Sequence, residues 1–159
     1  MASTPIATLE RRGLRVDFYQ LDDRYSHTLS IVRDAQPTVV WQSIEHHDEG
    51  PAYQELHEQT DHQGNTLLFL NGAAGGAHWS MSVQQDDKAI TFDVAARVST
   101  APPMRVIEYQ GPTTEPPGLA CSQPVGTFHI DESTHRLTLS PTGEHQQLPA
   151  TLRWKYGFL

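Results

Sequence analysis

The feature that most constrains this chain is a period of two. From Gly13 onward, apolar and polar residues alternate in short runs, and that spacing sends successive side chains to opposite faces of an extended strand. Leu14, Val16 and Phe18 alternate with Arg15, Asp17 and Tyr19 before Leu21-Asp22-Asp23-Arg24 turns the chain, and Tyr25 to Arg33 alternates again. A two-residue loop at Asp22-Asp23 predicts Val16 opposite Leu29 and Leu14 opposite Ile31, with His27 opposite Phe18 on the same apolar face.

The same period recurs along the chain. Thr38 to Ile44 is rich in β-branched and aromatic residues and predicts a third strand. Gly50 to Leu56 either starts a short helix with Pro51 in its first turn or leads into a strand running through His57 to Gln59, and the strand is preferred because His62-Gln63-Gly64-Asn65 looks like a hairpin loop into the next run. Thr66 to Leu70 follows, apolar on both faces and therefore expected to be central. After a loop at Asn71 to Ala77, Trp79, Met81 and Val83 alternate with His78, Ser80 and Ser82, and Ile90, Phe92, Val94, Ala96 and Val98 resume the pattern. If Asp86-Asp87 is the loop, Val83 meets Ile90, Met81 meets Phe92 and Trp79 meets Val94.

Met104 to Tyr109 predicts a further strand. The proline-rich Gly111 to Pro124 reads as an irregular loop, because its prolines lack the donors a ladder needs. Thr127–Ile130 and Arg136–Ser140 form a last hairpin closed by Asp131 and Arg136, and Thr151 to Tyr156 ends the pattern with Phe158 on its apolar face. Met1 to Arg12 shows no sustained period and reads as a flexible arm, which leaves residues 13–159 as a single β domain. The fold expected is all-β with little helix. It is an antiparallel meander of nine or ten strands, forming either a lipocalin-like barrel or a two-sheet sandwich.

Charge and composition exclude some functions. Eleven Lys and Arg against nineteen Asp and Glu give a net charge of -8. That balance repels phosphate backbones and anionic lipid, so neither nucleic acid nor membrane is an expected partner. Protonating all nine histidines would carry the charge to about +1 as pH falls through roughly 6.5, and solubility should fall in mild acid. There is no apolar run long enough to span a bilayer, and Met1 to Arg12 lacks the apolar core of a secretory signal, which together point to the cytoplasm. The single cysteine, Cys121, fits a reducing compartment and rules out an internal disulfide or a paired-thiolate zinc site.

Several groupings could carry chemistry. His57-Glu58-Gln59-Thr60-Asp61-His62 is not a zinc-protease helix motif: five residues turn a helix by about 500°, which points the imidazoles about 140° apart. Glu55 and His57 share one strand face, close in sequence to His46, His47, Asp48 and Glu49, and are candidate ligands for a bound metal. No H-x-H pair of the cupin kind occurs, and no other cofactor is expected. The expected register places His78, Ser80 and Asp93 together on one sheet surface, a candidate base, nucleophile and orienting acid, although strand N–H groups committed to a ladder supply no oxyanion donors. The Gly-rich loop Asn71 to Ala77 lacks the Lys-Ser/Thr and the helix start of a phosphate loop. Cys121 has no identifiable base beside it.

His27 sits on an apolar face and must find a partner there, either a ligand or a neighbouring protein group. With the aromatics Trp41, Trp79 and Trp154 it suggests a pocket lined for a small, largely apolar molecule. The G-x-W signature of lipocalin-like barrels is missing. The leading functional expectation is non-enzymatic binding of such a molecule. The alternatives are a homodimeric interaction module and a metal-dependent or hydrolytic enzyme built on the clusters above.

Overall fold

A computed structural model describes residues 3–44, 51–99, 106–112, 119–121, 127–141 and 149–158. Their strands are β1 Ala7–Arg11, β2 Leu14–Leu21, β3 Arg24–Arg33, β4 Gln36–Ile44, β5 Glu55–Thr60, β6 Thr66–Ala74 and β7 Ala77–Gln85. They continue with β8 Ile90–Val98, β9 Ile107–Gln110, β10 Leu119–Cys121, β11 Phe128–Asp131, β12 Arg136–Leu139 and β13 Ala150–Phe158. Two antiparallel sheets result. The first runs β1-β2-β3-β4-β9-β12-β11 and the second β10-β13-β8-β7-β6-β5. Among the described residues each has two unjoined edges, so the sheets are not closed into a barrel and the two-sheet sandwich fits. No helix among the described residues is long and apolar enough to cross a membrane.

Tight turns explain why so many strands pair with their sequence neighbours. Arg12-Gly13, Asp34-Ala35 and Gly75-Gly76 all have positive φ, the backbone that lets two-residue loops follow the right-handed twist of a hairpin. The first of these overturns the flexible-arm expectation for residues 7–11. The chain folds back at Arg12-Gly13, β1 pairs along its whole length with β2, and Ala7 and Leu9 are buried. The third shortens the expected Asn71 to Ala77 loop to Gly75-Gly76, so Asn71 to Ala74 belong to β6. β1 and β10, the latter in the proline-rich stretch read as irregular, are strands the alternation did not predict, and the described residues hold thirteen strands against the nine or ten expected. β6 lies next to the edge strand β5 and is not central; its outward Phe69 is 37% exposed.

The first hairpin has the expected register, with Leu14 opposite Ile31, Val16 opposite Leu29 and Phe18 opposite His27. The second is displaced: Val83 meets Phe92, Met81 meets Val94 and Trp79 meets Ala96. Asp86 is the cause. Its carboxylate accepts the backbone N–H groups of Lys88 (2.6 Å) and Ala89 (2.9 Å), and its own N–H donates to the Ala89 carbonyl. The loop is therefore Asp86 to Ala89, and the register moves by two. An even shift leaves every side chain on its expected face.

The core lies between the sheets as one cluster, with Trp41, Trp79, Trp154, Tyr109, Tyr156, Phe18, Phe92 and Phe158 its largest sealed members. Trp41 owes its place to a bulge. Leu29 pairs with Trp41 but Ser30 pairs with Val39, so Val40 is extra and both Val40 and Trp41 are buried. Gly111 lies on that indole, and a Cβ there would stand 2.7 Å from the Trp41 ring.

Along one side, residues 51–54 strap the sheets together. The Tyr25 N–H donates to the Tyr53 carbonyl, and the Gln54 N–H donates to the Asn71 carbonyl. The strap runs so close to β6 that a Cβ on Gly72 would lie 2.2 Å from the Ala52 carbonyl oxygen. Only glycine fits there.

Candidate functional site

Two places in the sandwich gather polar chemistry. The first is sealed inside. His27 on β3 is stacked between Phe18 and Phe92, with ring centroids 5.2 and 5.3 Å away. Its Nε2 is 2.8 Å from the Tyr109 hydroxyl, which is 2.8 Å from the Tyr156 hydroxyl. The His27 N–H donates to the Ser43 hydroxyl. Burial without a compensating charge lowers the imidazole pKa to about 3, so the ring is neutral near pH 7. The partner required by its place on an apolar face is thus Tyr109, and the line of polar groups joins the first sheet to the second.

Trp79 and Trp154 stack at 5.3 Å in the same core, above the strand that separates β7 from β13. That strand contributes Ala96 opposite Trp79, and its small side chain leaves room for the indoles to meet. Trp154 donates its Nε1–H to the Leu139 carbonyl at 3.2 Å, whereas the buried Nε1 atoms of Trp41 and Trp79 have no hydrogen-bond partner among the described residues. The four residues expected to line an apolar pocket, His27, Trp41, Trp79 and Trp154, are at most 3% exposed. Three of them are engaged with other side chains of the core.

The second place is the outer face of the second sheet. Reading across β6, β7, β8 and β13, three successive rows face outward: Ala73-His78-Arg97-Thr151, Asn71-Ser80-Ala95-Arg153 and Phe69-Ser82-Asp93-Lys155. Small side chains at Ala73, Ser80, Ala95 and Thr151 lie among the long ones of His78, Arg97, Arg153 and Phe69. A sheet surface built that way is depressed at its small residues. Two adjoining hollows of about 470 and 500 Å³ occupy this face. They share Asn71, Ser80, Ala95 and Thr151, so they form one open groove.

The groove's end is fixed by the strap. The Gln54 amide donates to the Ala73 carbonyl and accepts the Ala73 N–H, at 3.2 and 3.1 Å, so that side chain extends the sheet where β5 has not yet begun. Farther along, Arg153 donates to both oxygens of Asp93, at 3.0 and 2.6 Å. The hydrogen bonds and the charge of Asp93 raise the pKa of Arg153 above its ordinary value. Arg97, across from His78, is exposed and makes no ion pair among the described residues.

This geometry corrects the expected catalytic cluster. The shifted register puts Asp93 opposite Ser82 rather than Ser80, and His78 opposite Arg97. Asp93 orients Arg153 and not an imidazole. Glu55 and His57 do share the outer face of edge strand β5, 3.8 Å apart, but both are exposed and bring no third ligand. No group of three or more His, Cys, Asp or Glu among the described residues could hold a metal ion. His46, His47, Asp48 and Glu49 lie outside the described residues. Cys121 closes β10, opposite Tyr156.

Asn71, Arg97, Thr151 and Arg153 escape a reading of the sequence alone, because they meet only when β13 docks beside β8. The signal that was present is the pair of small outward residues, Ser80 and Ala95, on strands whose inward positions are mostly large. Comparison with protein families, with characterised proteins and with solved structures finds no match to this chain.

Proposed function

We infer that the protein is a non-enzymatic binding domain that takes a small molecule in the groove on the outer face of its second sheet. One observation carries the reading. The groove's polar side chains surround a floor of small residues and, apart from the Arg153–Asp93 pair and the Gln54 bracket, are not spent on one another. Ligand sites combine such a concave surface with a few convergent polar groups. Catalysis has less support here, since the observed register moves Asp93 one step farther from His78 and Asp93 is held by Arg153.

The ligand expected from composition was largely apolar, held by His27 and the three tryptophans. Those side chains line a packed core, while the groove offers mostly amide, hydroxyl and guanidinium groups with Phe69 at one end, so a polar ligand suits it better. The homodimer reading gains little: of the large exposed apolar residues, Leu21, Val39 and Phe128 stand on β2, β4 and β11 of the first sheet, no two of them neighbouring strands, Ile6 precedes β1, and Phe69 is on the second sheet.

A small-fragment screen followed through backbone amide shifts tests the reading. Binding fragments should perturb residues 71–73, 78–80, 95–97 and 151–153, and Ser80→Tyr, which fills the floor, should abolish those perturbations. Fragments that shift only the amides around His27 and Trp41, or none that bind at all, would overturn it.

A further inference from the structure

The charge of the groove identifies a ligand class more narrowly. Resting on the reading just given, we propose that the groove recognises a hydroxylated carboxylate, such as a uronic acid unit of an acidic saccharide, with Arg97 as the anchor of the carboxylate.

The groove is cationic on an acidic protein. Among the described residues its lining contains Arg97, Arg153 and a single carboxylate, Asp93, and that carboxylate is already held by Arg153. One positive charge is left over, at Arg97, on a chain whose net charge is -8. Among the described residues, no acidic residue lines the hollow around Arg97. Glu55, opposite Asn71 on the edge strand, stands outside the lining and faces His57. A guanidinium presents paired N–H donors that match the two oxygens of a carboxylate.

The remaining groups fit hydroxyls. Ser80 and Thr151 each offer a donor and an acceptor, and the Asn71 amide offers both, within one ladder step of Arg97 or of each other. A simple inorganic anion would leave most of these unused. From the Ala73 row to the Phe69 row is four residues, about 13 Å along the strands, and the four strands span about 14 Å across. That footprint suits a chain of sugar rings better than one small acid. Phe69, exposed at the far end, presents a ring whose negative face suits the C–H groups of a sugar.

Titration of the intact protein with galacturonic acid, galactose, trigalacturonic acid and inorganic phosphate, read by calorimetry and amide shifts, tests the assignment. Galacturonic acid and galactose differ only in a carboxylate for a hydroxymethyl group. Galacturonic acid should bind in the groove, trigalacturonic acid more tightly, and galactose about ten- to a hundredfold more weakly, as befits loss of a charge-assisted pair. Arg97→Gln should weaken the acids by the same factor and leave galactose unchanged, and Arg97→Lys should recover part of the loss. Arg97 is exposed, so both variants should fold as the parent does, which near-UV circular dichroism checks.

Equal binding of galactose overturns the carboxylate assignment while the groove reading stands. Phosphate binding as tightly as galacturonic acid overturns the hydroxyl half. Failure of all four probes overturns this inference, and the fragment screen then decides separately whether the groove binds anything. Trigalacturonic acid no tighter than the monomer would identify a free hydroxy acid as the source of the carboxylate.

Discussion

Inside the sandwich, polar atoms close on one another; on the outer face of the second sheet, several of them face solvent instead. His27, Tyr109 and Tyr156 form a chain of two hydrogen bonds among stacked rings. On the outer side of β6, β7, β8 and β13, the groups of Asn71, Ser80, Arg97 and Thr151 point outward. The difference separates two uses of polarity. Groups that satisfy one another hold the fold and specify how the sheets meet. Groups left open are free for a ligand, and their loss should barely touch stability.

Acid should separate the two regions most. The pKa of His27 is about 3 in the folded protein, against an ordinary value of 6.5. The unfolded chain therefore binds the extra proton first. The stability that neutral His27 confers is complete above about pH 6.5 and is lost progressively as pH falls toward 3, by up to about 5 kcal/mol. Urea midpoints measured between pH 7 and pH 4 should show this slope, and His27→Leu should flatten it. A parent curve with no slope in this window would mean that the imidazole is not sealed.

Trp154→Ala removes a stacked indole and its bond to Leu139 from a sealed site, and should cost about 3–5 kcal/mol in the same assay. Tyr156→Phe deletes one hydroxyl but leaves Tyr109 bonded to His27, so the expected loss is about 1 kcal/mol. A loss several times larger would show that the three groups act as a unit. At the other extreme, Ser80→Val on the groove floor should shift stability by less than about 0.5 kcal/mol, yet weaken any groove ligand. If it destabilises as much as Tyr156→Phe, the proposed division between the two faces is wrong.

How much of this was legible in the sequence follows the range of the interactions. Alternation in residues 14–33 was enough to give the register of the first hairpin, because a two-residue turn leaves no freedom. The Asp86 loop defeated the same argument: whether a carboxylate binds the N–H groups two and three residues on is not visible in a polar tetrapeptide. The register slipped by two, the faces survived, and the His78, Ser80 and Asp93 cluster did not. β1 escapes the alternation because five residues are too few to show a period, and alternation leaves both barrel and sandwich open because nothing local says which strand ends a sheet. The groove was hidden for the same reason. Its composition depends on β8 lying between β7 and β13, a neighbourhood set by packing over more than fifty residues of chain.

The stacked indoles of Trp79 and Trp154 have a use beyond packing. They belong to the strand positions directly beneath the groove floor, between His78 and Ser80 on β7 and between Arg153 and Lys155 on β13. Two such chromophores held at 5.3 Å couple their excited states, and the sign and size of the resulting circular-dichroism couplet depend on the angle between them. The sandwich thus carries an optical gauge under its open face. A ligand that pulls β7 and β13 together or apart would change that couplet without a label being attached to the protein.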